Sequence, residues 1–432
     1  MASSVFDYGA TGNGIIDDTN SVQSAINSIF SNGGGNLIFP KGIYKLKEIT
    51  LRSNITLMGE NGSKILTSGQ IPYQITFDSN SKNINICNLT FSSPGIDPSL
   101  CANNESSVIR DLGGCKNIRV ENCSFYDIPT SKGQRYHASI LNSENNYFVN
   151  NYSEQCGGDT FNFNNGYNVV TGNIIKNCGD GGIAFNNGAQ GIISNNLIHK
   201  CNLGIGAGPE GTIDNQYHTL TISGNEISSC DMAINMGWFG YKDREGPINA
   251  TITGNTITKT KRVAIGYWGN PSSQKQKYLN ISSNTINYIG TSDYDGTADP
   301  NSTGIVLCDA SGFVLTSNII SNCSNTAVSI KNSIKNTING NTISDCKNGI
   351  IFESYADTII SSNRISFIKN TCLSITTNSS VIGNQFSDCV TGINIQNNSK
   401  NYNISNNLFV AGKNSIVTGK NCKGITSNNI IA

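Results

Sequence analysis

The sequence predicts an all-β solenoid, a single-stranded right-handed parallel β-helix of about 22-residue coils closed at its N-terminal end by a short helix. Three observations carry that expectation. A short phrase returns along the chain, as in "NIIKNCGDGGIAFNN" (173–187), "NLIHKCNLGIGAG" (196–208), "NEISSCDMAINMG" (225–237) and "NTISDCKNGIIFES" (341–354). Each copy ends in a period-two alternation, which marks a strand with one face inward. Helical spacing of apolar residues is confined to one stretch near the N-terminus.

The elements follow in chain order. Residues 17–30, "DDTNSVQSAINSIF", read as the helix, with Asp18 or Thr19 as its cap and Val22, Ala25, Ile26, Ile29 and Phe30 as its apolar face. The helix covers strand edges and core that a solenoid end would otherwise expose. Residues 1–45 are the cap and first strand, and 46–432 the β-helix. In each coil a strand such as Ile183–Ala184–Phe185–Asn186 points Ile183 and Phe185 inward and Ala184 and Asn186 outward. Gly and Asn at the corners tolerate left-handed backbone. Consecutive strands without intervening helices pair in parallel only by coiling, so Asn stacks on Asn and Cys on Cys about 4.8 Å apart. Cys156, Cys178 and Cys201 follow that spacing, and the 14 Cys are read as mainly free, buried thiols.

Bulk properties exclude some functions. Lys+Arg 29 balance Asp+Glu 29, so no general pull toward nucleic acid or anionic membrane is expected. No apolar run approaches a membrane span, and the opening residues lack the order of a secretory signal.

"VFDYGATGNGIIDDTNSVQSAI" followed by "GGGNLIFPKGIYKL" resembles the N-terminal signature of the pectate-lyase-like β-helix superfamily. That group includes bacteriophage tailspike depolymerases, polygalacturonases and the catalytic modules of alginate epimerases. The polygalacturonase set of Asp-Asp, Gly-His-Gly and Arg-Ile-Lys is missing, as is the epimerase Asp-Pro-His-Glu, so neither set of catalytic residues carries over. Likeness to tailspikes implies a polysaccharide partner, an extracellular or virion-associated setting and a homotrimer.

Function in a solenoid is added where corners swell into loops. Insertions are expected at about 208–219, 237–249, 268–278 and 290–304. The first three follow one strand position in consecutive coils, so they should build one wall. That wall would gather Trp238, Phe239, Tyr241, Tyr267 and Trp268, with Tyr217, His218, Arg244, Lys275 and Lys277, for binding sugar rings and their polar groups. Paired carboxyls for glycosidic hydrolysis are sought among Asp243, Glu245, Asp214 and Glu210, with Asp293 and Asp295 within possible reach. A second constellation places His137 over Asp159, with Asp180, Arg135 and Tyr136 nearby, as equipment for elimination from, or epimerisation of, a uronate. No zinc spacing is present and no cofactor is called for; calcium on "SDYDGTADPN" (292–301) stays open.

The expected activity is therefore a polysaccharide depolymerase, a glycoside hydrolase of tailspike type. The alternatives are a polysaccharide lyase or C5-epimerase, and a carbohydrate-binding β-helix without catalysis.

Overall fold

The computed structural model describes residues 2–130, 135–208, 219–237, 249–269, 278–291, 295–354 and 357–432. The chain divides into two compact units, Met1–Gly206 and Ala207–Ala432. Within each, successive coils pair strand on strand in parallel. In the first unit Ala2–Ser4 pairs with Gly35–Phe39, which pairs with Ile55–Gly59, so the coil ladder starts at the N-terminal strand.

The helix spans Thr19–Ser31 and buries Val22, Ala25, Ile26 and Ile29. Asp18 holds the cap position without a side-chain cap bond. Its carboxylate instead accepts from the Thr11 amide at 2.7 Å and the Gly12 amide at 3.0 Å, tying the preceding turn to the helix start. Phe30 departs from expectation: it is 37% exposed at the rim, with the Arg52 guanidinium 5.0 Å from its ring.

An asparagine ladder fixes one corner of the coils that follow Cys123. In the second unit Asn225, Asn255, Asn284, Asn318, Asn341, Asn363, Asn384 and Asn407 each pass a hydrogen bond to the next member, and the ladder ends at Asn429. Asn284 is typical. Its Oδ1 accepts the Asn255 amide and Nδ2, and its own Nδ2 donates to Asn318 Oδ1 and the Ile252 carbonyl. Asn151, Asn173 and Asn196 make the same bonds in the first unit. The residue before the ladder Asn is left-handed, as at Gly172, Gly254, Ser283 and Ser317. Recurrent "TGN" and "SSN" therefore encode one left-handed residue followed by one stacking amide.

A second left-handed residue precedes the cysteine row, as at Gln155, Asn177, Lys200 and Asn322. The following thiol turns inward onto corner carbonyls that also accept backbone amides: Cys178 Sγ reaches the Gly158 and Gly181 oxygens at 2.9 and 3.0 Å. All 14 cysteines are free and most are buried, as expected. Burial and neighbouring acids push several thiols up, Cys115 to about 12 and Cys308 to about 11. Ile183 and Phe185 line the core, stacked on Phe161 and Phe163.

Candidate functional site

The strands flanking the first three insertions are in register. Met236, just before one insertion, is level with Tyr267, just before the next. Thr219, Asn249 and Tyr278, which end the three insertions, form one row of the second unit. Alternation then sends Leu220, Ala250 and Leu279 inward, while the row Thr221, Thr251, Asn280, Val314 faces out. Thr251, Asn280 and Val314 of this row, with Thr219, Asn249 and Tyr278, line an open groove of about 470 Å³. Its walls carry hydroxyls and amides, and Tyr278 stands 59% exposed at its head. Amides and hydroxyls bond sugar hydroxyls, and an exposed phenol ring packs on the apolar face of a pyranose. Sequence reading passed over Tyr278, Thr251 and Asn280, although each occupies an outward position directly after an insertion.

The proposed aromatic wall falls partly outside the described residues: Trp238, Phe239, Tyr241, Tyr217, His218, Arg244 and Lys275 lie there, as do Asp243, Glu245, Asp214, Glu210 and Asp293. The structure places two members elsewhere than expected. Tyr267 shares a row with Ile265-type core positions, between Met236 and Leu307, and is fully buried, so it offers no face to a ligand. Trp268 is 8% exposed and lies across Gly266, where a Cβ would come within 2.1 Å of the indole. Parity explains Tyr267, which faces inward; Trp268, one step on, faces outward and is covered because its indole folds back over Gly266. Asp295 is paired with Lys261, and that bond together with Thr297 holds its carboxyl down at about 2. It carries no proton to donate near neutrality.

The second constellation does assemble. Ser139 is level with Phe161, and Phe161 with Ile183, which sets His137 beside Asp159 at a corner of the first unit. His137 Nδ1 accepts the Asp159 backbone amide at 3.1 Å and lies 3.8 Å from Asp159 Oδ2. Asp159 Oδ1 accepts the Gly181 amide at 2.8 Å and Oδ2 the Asn162 side chain at 2.7 Å. Burial lowers His137 to about 4; burial and then the Asp180 charge hold Asp159 well above the usual carboxylate range. Arg135 is turned to Glu105 at 2.7 Å, and Tyr136 is buried.

This corner is poorly built to abstract a proton. With Nδ1 accepting an amide, neutral His137 carries its proton on Nε2 and has no free lone pair. It is also 1% exposed, with Gly158 packed against the ring edge. Among the described residues no group of three His, Cys, Asp or Glu side chains is placed to hold a metal ion.

Parallel strand ladders, stacked corner amides and an inward apolar row define a β-helix, and the chain belongs to the family described as the right handed beta helix region, whose model matches residues 107–286 and 270–431. Among solved structures it is similar to gene product 12 of bacteriophage phi29 in its pre-mature form, with TM-score 0.59 and 13% identity over 99% of this chain and 73% of that one. It is also similar to tailspike protein 3 of bacteriophage CBA120, with TM-score 0.51 and 14% identity over 97% of this chain and 61% of that one. These likenesses establish the fold. Among curated proteins, plasmin and fibronectin-binding protein A of Streptococcus pneumoniae is 42% identical over 69 residues, 16% of this chain and 10% of that protein. The match thus spans a small fraction of that relative's length. No helix among the described residues is long and apolar enough to cross a membrane.

Proposed function

We propose that the protein is a polysaccharide depolymerase, an endo-acting glycoside hydrolase that holds a bacterial surface polysaccharide along the groove headed by Tyr278. The observation that carries this reading is the register of the three insertions: they end on one row, Thr219, Asn249 and Tyr278, and that row opens directly into the groove. Insertions that carry Trp238 and four acidic side chains are thereby rooted at the edge of that groove. Asp243, Glu245, Asp214 and Glu210 are the candidates for acid and base or nucleophile. The likeness in fold to a bacteriophage tailspike is in keeping with a polymeric glycan as substrate and with a homotrimer acting outside the cell or on a virion.

Hydrolysis is favoured over elimination or epimerisation by the state of His137. A base that takes the proton from a uronate carbon needs an accessible lone pair, and His137 has its Nδ1 occupied and its ring buried. The test is incubation with purified capsular polysaccharides, exopolysaccharides, alginate and pectin, following new reducing ends together with the ultraviolet absorbance of unsaturated uronates. Reducing ends without absorbance support the hydrolase. Absorbance would replace it with a lyase, and saturable binding without either signal would leave a glycan-binding β-helix.

A further inference from the structure

A covered surface lies in the first unit, at a place that the sequence repeat does not mark. Between the strands Thr90–Ser92 and Glu105–Arg110 the chain detours through residues 93–104. The detour is fastened over the outer face of the neighbouring strands: Ser93 Oγ donates to Gln74 Oε1 at 2.7 Å, and the Cys101 thiol meets the Tyr73 hydroxyl. Ile75 and Ile109 point into the core of this face. The alternate positions Gln74, Thr76, Ser106 and Arg110 therefore point outward, yet each is at most 9% exposed. In the groove of the second unit the same kind of position is solvated.

Beneath this cover the polar groups are mostly donors without acceptors. Arg110 lies with its guanidinium carbon 5.7 Å from the Tyr73 ring centre, and neither its Nε nor its Nη1 has a partner. Each forked edge of the guanidinium thus keeps at least one unmatched N–H. Gln74 Nε2 and Ser106 Oγ are unmatched as well. Among the described residues no acid pairs with this guanidinium: Asp111, next in the chain, accepts the Gly113 amide through Oδ1 and leaves its buried Oδ2 unmatched, and the others are committed elsewhere. Glu48 accepts from the Thr76 hydroxyl at 3.1 Å, Glu105 pairs with Arg135, and Asp97 accepts the Ser99 amide. A buried guanidinium without a counter-charge is costly, and a planar carboxylate is the group that fits its fork.

We propose that the covered cluster of Arg110, Gln74, Ser106 and Tyr73 binds a carboxylate anion. The anion is either a free small acid or a carboxylate borne on a sugar polymer, and recognition at the guanidinium is the same for both. The site makes no use of the groove, so it stands whether or not the protein cleaves a glycan.

The experiment measures the thermal unfolding midpoint of the full chain at constant ionic strength against acetate, glucuronate, oligogalacturonate and, as neutral control, glucose. A saturable rise with a carboxylate probe and none with glucose is expected. Response to acetate and glucuronate identifies a free acid, and response to the oligomer alone a polymer-borne one. Arg110→Met should abolish the response while leaving the ligand-free midpoint unchanged or higher, since it removes an unmatched buried cation. If that variant fails to fold, Arg110→Lys, which keeps the charge and loses the fork, should weaken carboxylate binding about tenfold. No response to any carboxylate, a response that survives Arg110→Met, or full affinity in Arg110→Lys would overturn the proposal.

Discussion

The corner around His137 and Asp159 and the groove headed by Tyr278 are both rich in polar side chains, and the coil uses them in opposite ways. At the corner the protein itself supplies the partners: Asp159 accepts the Gly181 amide and the Asn162 side chain, and the buried His137 accepts the Asp159 amide. In the groove, Thr251 and Asn280 stand half-exposed in an outward row, and among the described residues no protein group meets the Asn280 Oδ1. What a polar residue does in this fold thus depends on its row more than on its type. Asn284 and Asn280 make the point within one coil. The first is fully buried in the ladder, and the second faces out of the groove four residues earlier.

The largest effect expected is from breaking that ladder. Asn284→Ala would orphan the Asn255 amide and Nδ2 and the Ile252 carbonyl, at a cost of about 4 kcal/mol, whereas Asn280→Ala should cost about 0.5 kcal/mol or less. Urea unfolding of the two variants checks this, and equal losses would erase the distinction between rows. Trp268→Ala comes next, at about 3 kcal/mol, because the indole is packed down on Gly266. A mutant that kept full stability and lost only glycan binding would return Trp268 to the exposed wall.

The corner also has a pH signature. His137 is lowered from 6.5 to about 4, so its contribution is complete above pH 6.5 and is lost as pH falls toward 4, by about 3 kcal/mol. Asp159 has the opposite sign: its raised value gives a contribution present at low pH and lost as pH rises through the folded value. The two slopes oppose each other. His137→Gln should remove the loss on acidification, and Asp159→Asn should deepen it, in unfolding free energies measured from pH 7 to 4. Parallel profiles for both variants would mean that the corner does not titrate as a buried pair.

The coil, its handed corners, the free thiols and the capping helix were legible because each rests on a repeated local rule: a left-handed residue, a stacking amide, a period of two. Meeting of His137 and Asp159 was legible for the same reason, since register alone brings them together. Their environment was not. Whether a corner side chain meets solvent or a backbone amide depends on the neighbouring coil's carbonyls and amides, which no single repeat records. Tyr267 was misplaced by one step of alternation, a step that the aromatic cluster in the sequence obscured. The covered cluster around Arg110 escaped because its cover, residues 93–104, is mostly Ser, Pro, Gly and Asn and reads as an ordinary turn.

The smallest effect in this series is the one closest to function. Tyr278 is 59% exposed, so Tyr278→Ala should leave the unfolding midpoint within experimental error. Loss of a stacked ring nonetheless removes about 1 kcal/mol of binding, five- to tenfold in affinity for an oligosaccharide that lies in the groove. Thr251→Val changes a hydroxyl in the next row and should cost less, because water can replace one exposed hydrogen bond more readily than it replaces a ring face. Isothermal titration with the oligosaccharide released from the active polymer measures both. An unchanged affinity in Tyr278→Ala, with Trp238→Ala reducing it strongly, would move the binding surface off the groove and onto the inserted loops alone.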